Sequence, residues 1–357
     1  MAPTKQPVFL LCANSLSDRG DSVALIELWR GLEAQGLSAV IVYQESNLNN
    51  SPGRLSEMAE QEIPVAPCET KHDVEKLAAE TGVTHVVVFS DGTPSGIFWA
   101  SQRGESVAIS GTIHVTWAVF RVWKPHGDYY LYVSKWNFKA NLVNRMRRRV
   151  LSLGAQSPQR TQVSYAPHFL EVQIGCGEEF RNLVGVPKEA KLIGRVGGRT
   201  EFSDPAAQSA VKKVLAAHEN IWFVFASTDQ FVRHPRAVFI DRLDRLELWN
   251  FYAACDLLLN GRLMGESFGL GIVEALRLDK PVLAPHPARN RRMDKNHVSL
   301  LRRHGLLYRS EDELVRKLVA VDSGCYRPGV LSKGVSFSYP SVGTRRFLAK
   351  LGLRNSH

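Results

Sequence analysis

At 357 residues the chain exceeds one ordinary hydrophobic core and suits two domains. Hydrophobic residues at 44% and charged residues at 22% exclude a disordered or fibrous chain, and no apolar run approaches the ~20 residues that span a bilayer. A net charge of +10, from 45 Lys+Arg against 35 Asp+Glu, favours anionic partners: nucleotides, phospholipid surfaces or nucleic acid.

The first apolar block, "VFLLCA", is shorter than a secretory h-region and reads as a buried strand within "PVFLLCAN" (7–14). A polar loop with Gly20 follows, then "SVALIELWRGLEAQG", whose Val23, Ile26, Leu28 and Leu32 lie near helical spacing. "LSAVIVYQES" is the next strand, "KHDVEKLAAETG" a helix, and "VTHVVVFSDG", "ESVAISGTIHV" and "DYYLYVSKWN" further strand runs. This βα alternation predicts a parallel sheet over residues 1–170. "NLVNRMRRRVLSLG" (141–154) carries Leu142, Met146, Val150 and Leu153 as one stripe beside four arginines. The stripe suits a helix packed on the sheet, or a basic amphipathic helix resting on an anionic membrane surface. Residues 171–189 are glycine-bearing and aperiodic, as a linker would be.

A second series runs over 190–339: strand and glycine turn in "AKLIGRVGG", helix in "PAAQSAVKKVLAAHEN", strands in "IWFVFAS" and "AVFIDRL", helix in "DRLELWNFYAAC", strand in "DLLLN". Then comes "GESFGLGIVEAL", a turn opening a helix, before the strand "PVLAP". Free N–H groups at such a helix start suit a diphosphate, and Gly269 and Gly271 admit close approach to the backbone. Glu266 stands in the turn and Glu274 roughly 7 Å along the helix, among Ile272, Val273, Ala275 and Leu276. A carboxylate in that company is costly to desolvate without a partner, and vicinal sugar hydroxyls are one. The other reading makes Glu266 a complement to the helix dipole and Glu274 a solvated charge. The last stretch, 340–357, holds Phe347, Leu348 and Leu351 as an apolar stripe.

"ESFGLGIVE" resembles the E-x7-E signature of the retaining GT-B-type glycosyltransferases of family 4, strongly over 190–290 and more weakly over 7–170. The resemblance implies an α/β fold of the GT-B kind, two Rossmann-like doubly wound domains facing across a cleft, with 340–357 crossing back to the first. It implies a hexosyltransferase that retains anomeric configuration. Glu274 would bind the donor ribose, Glu266 the transferred sugar, and the backbone at Phe268, Gly269 and Leu270 both sugar and phosphate. Arg199, with Arg195 as the alternate, falls where the family supplies an arginine for the diphosphate, while no lysine follows until Lys212. His114 matches a histidine at the cleft end of a first-domain strand, against the ordinary reading of a structural histidine. Gly20 matches a glycine near the donor phosphate, or is a turn glycine.

The implied partners are a nucleotide-diphosphate sugar, GDP-mannose slightly before a UDP-hexose, and a glycan, lipid-linked or protein-linked acceptor. Nucleic acid is not expected, since neither basic cluster, "NRMRRR" or "RNRRMDK", has interleaved aromatics. A homodimer and a peripheral membrane contact stay open. No Asp-x-Asp triplet occurs, so neither metal nor other cofactor is expected. Five scattered cysteines without C-x-x-C spacing indicate a reducing, cytoplasmic setting. A GT-B epimerase or phosphorylase, and a non-catalytic two-domain binding protein, are the alternatives. A Rossmann dehydrogenase lacks its G-x-G-x-x-G after the first strand.

Overall fold

A computed structural model describes residues 6–18, 20–92, 109–119, 125–151, 161–290, 294–333, 335 and 339–353, with the side chains of 144–151 and 323 left aside. The chain divides into two compact units, 1–171 with 337–357, and 172–336.

In the first unit the strands are β1 (Val8–Ala13), β2 (Ser38–Gln44), β3 (Val65–Cys68), β4 (His85–Ser90), β5 (Ile113–Ala118), β6 (Tyr129–Tyr132) and β7 (Gln162–Tyr165). They form one parallel sheet in the order β3-β2-β1-β4-β5-β6-β7. β4 is buried at all six positions, which is why it reads as a continuous apolar run rather than an alternation. The helices between strands are α1 (Gly20–Glu33), α2 (Pro52–Glu60), α3 (Lys71–Thr81) and α4 (Lys135–Leu151). Thr70 and Asp73 form a capping box at the start of α3, and Gly82, at φ 66°, ends it. In α4, Leu142 is 44% exposed. Met146, Val150 and Leu153, which would separate a membrane-resting helix from a core helix, lie outside the described side chains.

The second unit holds α5 (Gly177–Leu183), β8 (Lys191–Val196), α6 (Pro205–Ala217), β9 (Ile221–Ala226), β10 (Ala237–Ile240), α7 (Arg245–Ala254), β11 (Leu257–Leu259), β12 (Gly265–Glu266), α8 (Leu270–Arg277), β13 (Val282–Pro285), β14 (Asp294–Lys295), α9 (Asn296–Leu301), β15 (Leu307–Tyr308) and α10 (Glu311–Ala320). Its six-stranded parallel sheet runs β10-β9-β8-β11-β13-β15, with β12 and β14 as a separate two-residue ladder. The stretch expected to be a linker instead folds onto this unit. α5 packs on α7, with Phe180 edge-on to Phe251 and the Cys176 N–H donating to Asn250 Oδ1 at 2.7 Å. Glycine makes that approach feasible, because a Cβ at Gly175 would stand 2.2 Å from the Trp249 carbonyl carbon.

The last helix, α11 (Pro340–Lys350), belongs to the first unit. It lies on α1, where a Cβ at Gly31 would overlap the Thr344 hydroxyl, and it stacks Phe347 on Trp117 at 5.2 Å. No helix among the described residues is long and apolar enough to cross a membrane.

Candidate functional site

From β8 the second sheet grows one way through β9 to β10, and from β11, on the other side of β8, it grows the other way. Strand order therefore reverses between β8 and β11, and the crevice beyond their carboxyl ends is where an open α/β sheet takes its ligand. The turn after β8, the loop 260–264 and the turn into α8 converge on that edge.

Glu266 ends β12 there, its side chain 14% exposed. Asn260 Nδ2 donates to its Oε1 at 2.9 Å, and Arg262 Nη1 stands 3.3 Å from its Oε2. Burial raises its pKa, while Arg262 and Asn260 oppose the rise. Arg262 also pairs with Glu201 at 3.3 Å, and Glu201 accepts the Gly198 N–H at 3.3 Å. One arginine thus joins both glycine-bearing turns. Gly269 then turns the chain into α8 at φ 82°, and no side chain caps the helix. Its first N–H groups are left for an outside acceptor.

Glu274 is 5% exposed and already has protein partners. Arg245 Nη1 donates to Oε1 at 3.0 Å and the Tyr252 hydroxyl to Oε2 at 2.8 Å. Arg245 itself lies over Trp249 at 4.5 Å. Asp244 and Glu247 form a capping box that starts α7 at Arg245, so Tyr252, seven residues on, returns to the same face two turns later. The solvated-charge reading of Glu274 fails on this geometry. A carboxylate offers about four lone-pair sites, so two remain for a ligand.

The other anticipated residues fall in different places. Arg195 is 4% exposed and bonds the carbonyls of Ser227 and Gly198 and the Thr228 hydroxyl, and burial lowers its pKa to about 10. It braces two turns from behind. Arg199 is exposed and paired with Asp241. Phe268 is buried, its carbonyl accepting from Asn296 Nδ2 at 2.8 Å, and Leu270 is half-buried. Gly271 faces Tyr252 and Val196 rather than open space.

In the first unit Gly20 opens α1 at the carboxyl edge, in the turn after β1. His114, anticipated at the carboxyl end of a strand, is the second residue of β5, about 13 Å of strand short of that end. It is buried, with Nε2 3.1 Å from Thr116 Oγ1, its N–H on Asp128 Oδ2 at 2.8 Å and Gly127 against its ring. Burial lowers its pKa to about 4, helped by His126 and opposed by Asp128. This is a core histidine.

No protein-family profile and no curated protein sequence matches the chain. Solved structures do. HepE of Anabaena, solved with UDP and glucose, superposes with a TM-score of 0.69 at 13% identity, over 97% of this chain and 100% of that one. A glycosyltransferase from Rickettsia africae superposes at 0.62 and 12% identity, over 99% and 100%. The chain has the GT-B fold. A UDP-N-acetylglucosamine 2-epimerase candidate from Listeria monocytogenes shares it at 0.57 and 13% identity, over 97% and 96%. Within this GT-B frame the carboxylates at 266 and 274 come from the sequence pattern. Asn260, Arg262, Arg245 and Tyr252 emerge only from the fold.

Proposed function

We propose that the chain is a glycosyltransferase that moves a hexose from a nucleotide-diphosphate sugar to an acceptor hydroxyl with retention of configuration. The observation behind this reading is the pair of carboxylates flanking the uncapped start of α8, each oriented by an arginine and a neutral donor. Glu274 takes the ribose hydroxyls on its remaining lone pairs, and Glu266 the hydroxyls of the transferred sugar. The diphosphate rests at the α8 N-terminus, where fixed N–H dipoles stabilise the charge that develops on leaving. The C1–O bond to the diphosphate breaks, the acceptor oxygen bonds C1 from the same face, and the acceptor proton passes to a diphosphate oxygen. Cations of the chain itself neutralise the leaving group, so transfer is insensitive to a chelator.

The UDP and glucose bound to HepE support a uridine diphosphate hexose as donor, whereas the leaning to GDP-mannose has no residue behind it. His114 and Arg199 take no part, because one is a core group and the other an exposed ion pair. Calorimetric titration with UDP-glucose and GDP-mannose, followed by assay of nucleotide release, tests the reading. Glu266→Gln keeps donor binding and loses release. A chain that binds no nucleotide sugar overturns the proposal. The Listeria likeness favours one other outcome, interconversion of the free nucleotide sugar without any acceptor, visible by NMR.

A further inference from the structure

We infer that Lys295 is the cation that meets the diphosphate, a residue that neither spacing nor resemblance picks out. The inference rests on the donor reading given above. β14 pairs with β12 in parallel, with Gly265 level with Asp294 and Glu266 level with Lys295. Registered neighbours on adjacent strands share a face, so this ladder carries Lys295 beside Glu266. The segment is fastened there from several sides. The Asp294 N–H donates to the Met264 carbonyl at 2.9 Å, Asn296 Nδ2 to the Phe268 carbonyl at 2.8 Å, and the Glu266 N–H to His297 Nδ1 at 3.3 Å. His297 is in turn held by the Pro285 carbonyl at 3.1 Å. The backbone of Lys295 is therefore fixed against the turn that opens α8.

Among the described residues, the nearby guanidinium groups have work inside the protein. Arg195 holds two turn carbonyls, Arg262 bridges Glu201 and Glu266, Arg245 holds Glu274, and Arg289 grips the buried Asp204 with two bonds of 3.0 and 2.7 Å. Lys295 is half-buried, and among the described residues its ammonium has no hydrogen-bond or ion-pair partner. An ammonium not already engaged in a hydrogen bond or ion pair can receive an incoming anion. The diphosphate at the α8 start supplies one. A lysine serves this role as a compact point charge on a flexible stem, whereas the neighbouring arginines serve as rigid forks.

The test titrates wild-type, Lys295→Met and Lys295→Arg proteins with UDP and with uridine, using ligand-observed NMR for the weaker nucleoside. Methionine keeps the apolar stem, so Lys295→Met should unfold at the wild-type temperature. It should bind UDP roughly 10- to 100-fold more weakly, the size of a lost charged hydrogen bond, with uridine binding unchanged. Lys295→Arg should recover most of the loss. Unchanged UDP affinity in Lys295→Met, or equal weakening of UDP and uridine, overturns the assignment. A wild-type protein that binds neither ligand overturns the donor reading, and the assignment with it.

Discussion

Replacing Tyr252 by Phe removes one oxygen and nothing else from the support of Glu274. The ring stays, packed against Phe251 at 5.5 Å and Trp249 at 5.9 Å, so no cavity larger than a hydroxyl opens. Oε2 of Glu274 loses its 2.8 Å donor in a place where Tyr252 is fully buried and the carboxylate side chain is only 6% exposed, so water cannot replace it. Arg245 still holds Oε1, which limits the loss to one charge-assisted hydrogen bond, about 1.5–3 kcal/mol. Global melts of a two-unit chain need not be two-state, so the better assay is local. Hydrogen exchange by mass spectrometry, on the most protected amides of 245–277, should quicken by roughly 10- to 150-fold at fixed pH. Protection within about twofold of wild type refutes the reasoning, because it would mean the hydroxyl does not restrain a charged oxygen. Glu274→Ala is the harsher change. It strands the buried Tyr252 hydroxyl and takes from half-buried Arg245 its carboxylate partner, and should cost about 3 kcal/mol, so its nucleotide affinity has meaning only after folding is verified.

Gly269→Ala forces a side chain onto φ 82° and sets its Cβ 3.1 Å from that of Glu266, so it should cost about 1–2 kcal/mol and weaken donor binding while leaving the first unit's exchange unchanged. His114 and His297 are both lowered to about 4 by burial, so the unfolded chain binds their protons first as pH falls below about 6.5. Each therefore contributes stability that is full above pH 6.5 and is lost towards pH 4, at up to about 1.4 kcal/mol per pH unit. Thermal midpoints should fall between pH 7 and 5, and by less in His114→Gln; an equal fall would count against a neutral core ring. Phe347→Ala removes the ring stacked on Trp117 and should destabilise the first unit by about 3–5 kcal/mol, read as faster exchange in β5 with the second unit unaffected.

The two doubly wound sheets were legible because their central strands are buried on both faces and so appear as unbroken apolar runs, "VFLLCA", "HVVVFS" and "IWFVFA". Errors came where a run could extend in either direction. The run "ESVAISGTIHV", with His114 placed by the resemblance at the cleft end of a strand, turns out to begin its strand only at Ile113 and to continue through "TWA". The arginines show a different limit: the resemblance offered Arg199 with Arg195 as alternate, and the fold adds that Arg199 is exposed beside Asp241, Arg195 is buried and Arg262 stands between Glu201 and Glu266. The partners of Glu274 lie 29 and 22 residues upstream on another helix, beyond any local pattern. Lys295 comes level with Glu266 through a ladder only two residues long, too short to leave a propensity signal. The likeness of 171–189 to a linker reflects its glycines, of which Gly175 and Gly177 serve close packing on α7.

The first unit is discontinuous in sequence, with its final helix encoded after the whole of the second. A ribosome therefore releases β1 to β7 with Trp117 and Phe169 lacking the α11 side chains that later cover them. At ~5–20 residues per second the intervening 172–336 takes roughly 10–30 s to make. During that interval the nascent amino-terminal part carries an exposed aromatic seat, a natural hold for a chaperone, while the second unit can close on its own. Folding order is thus set by where the chain stores its last helix: the second unit matures first, and the earlier-made unit is completed last.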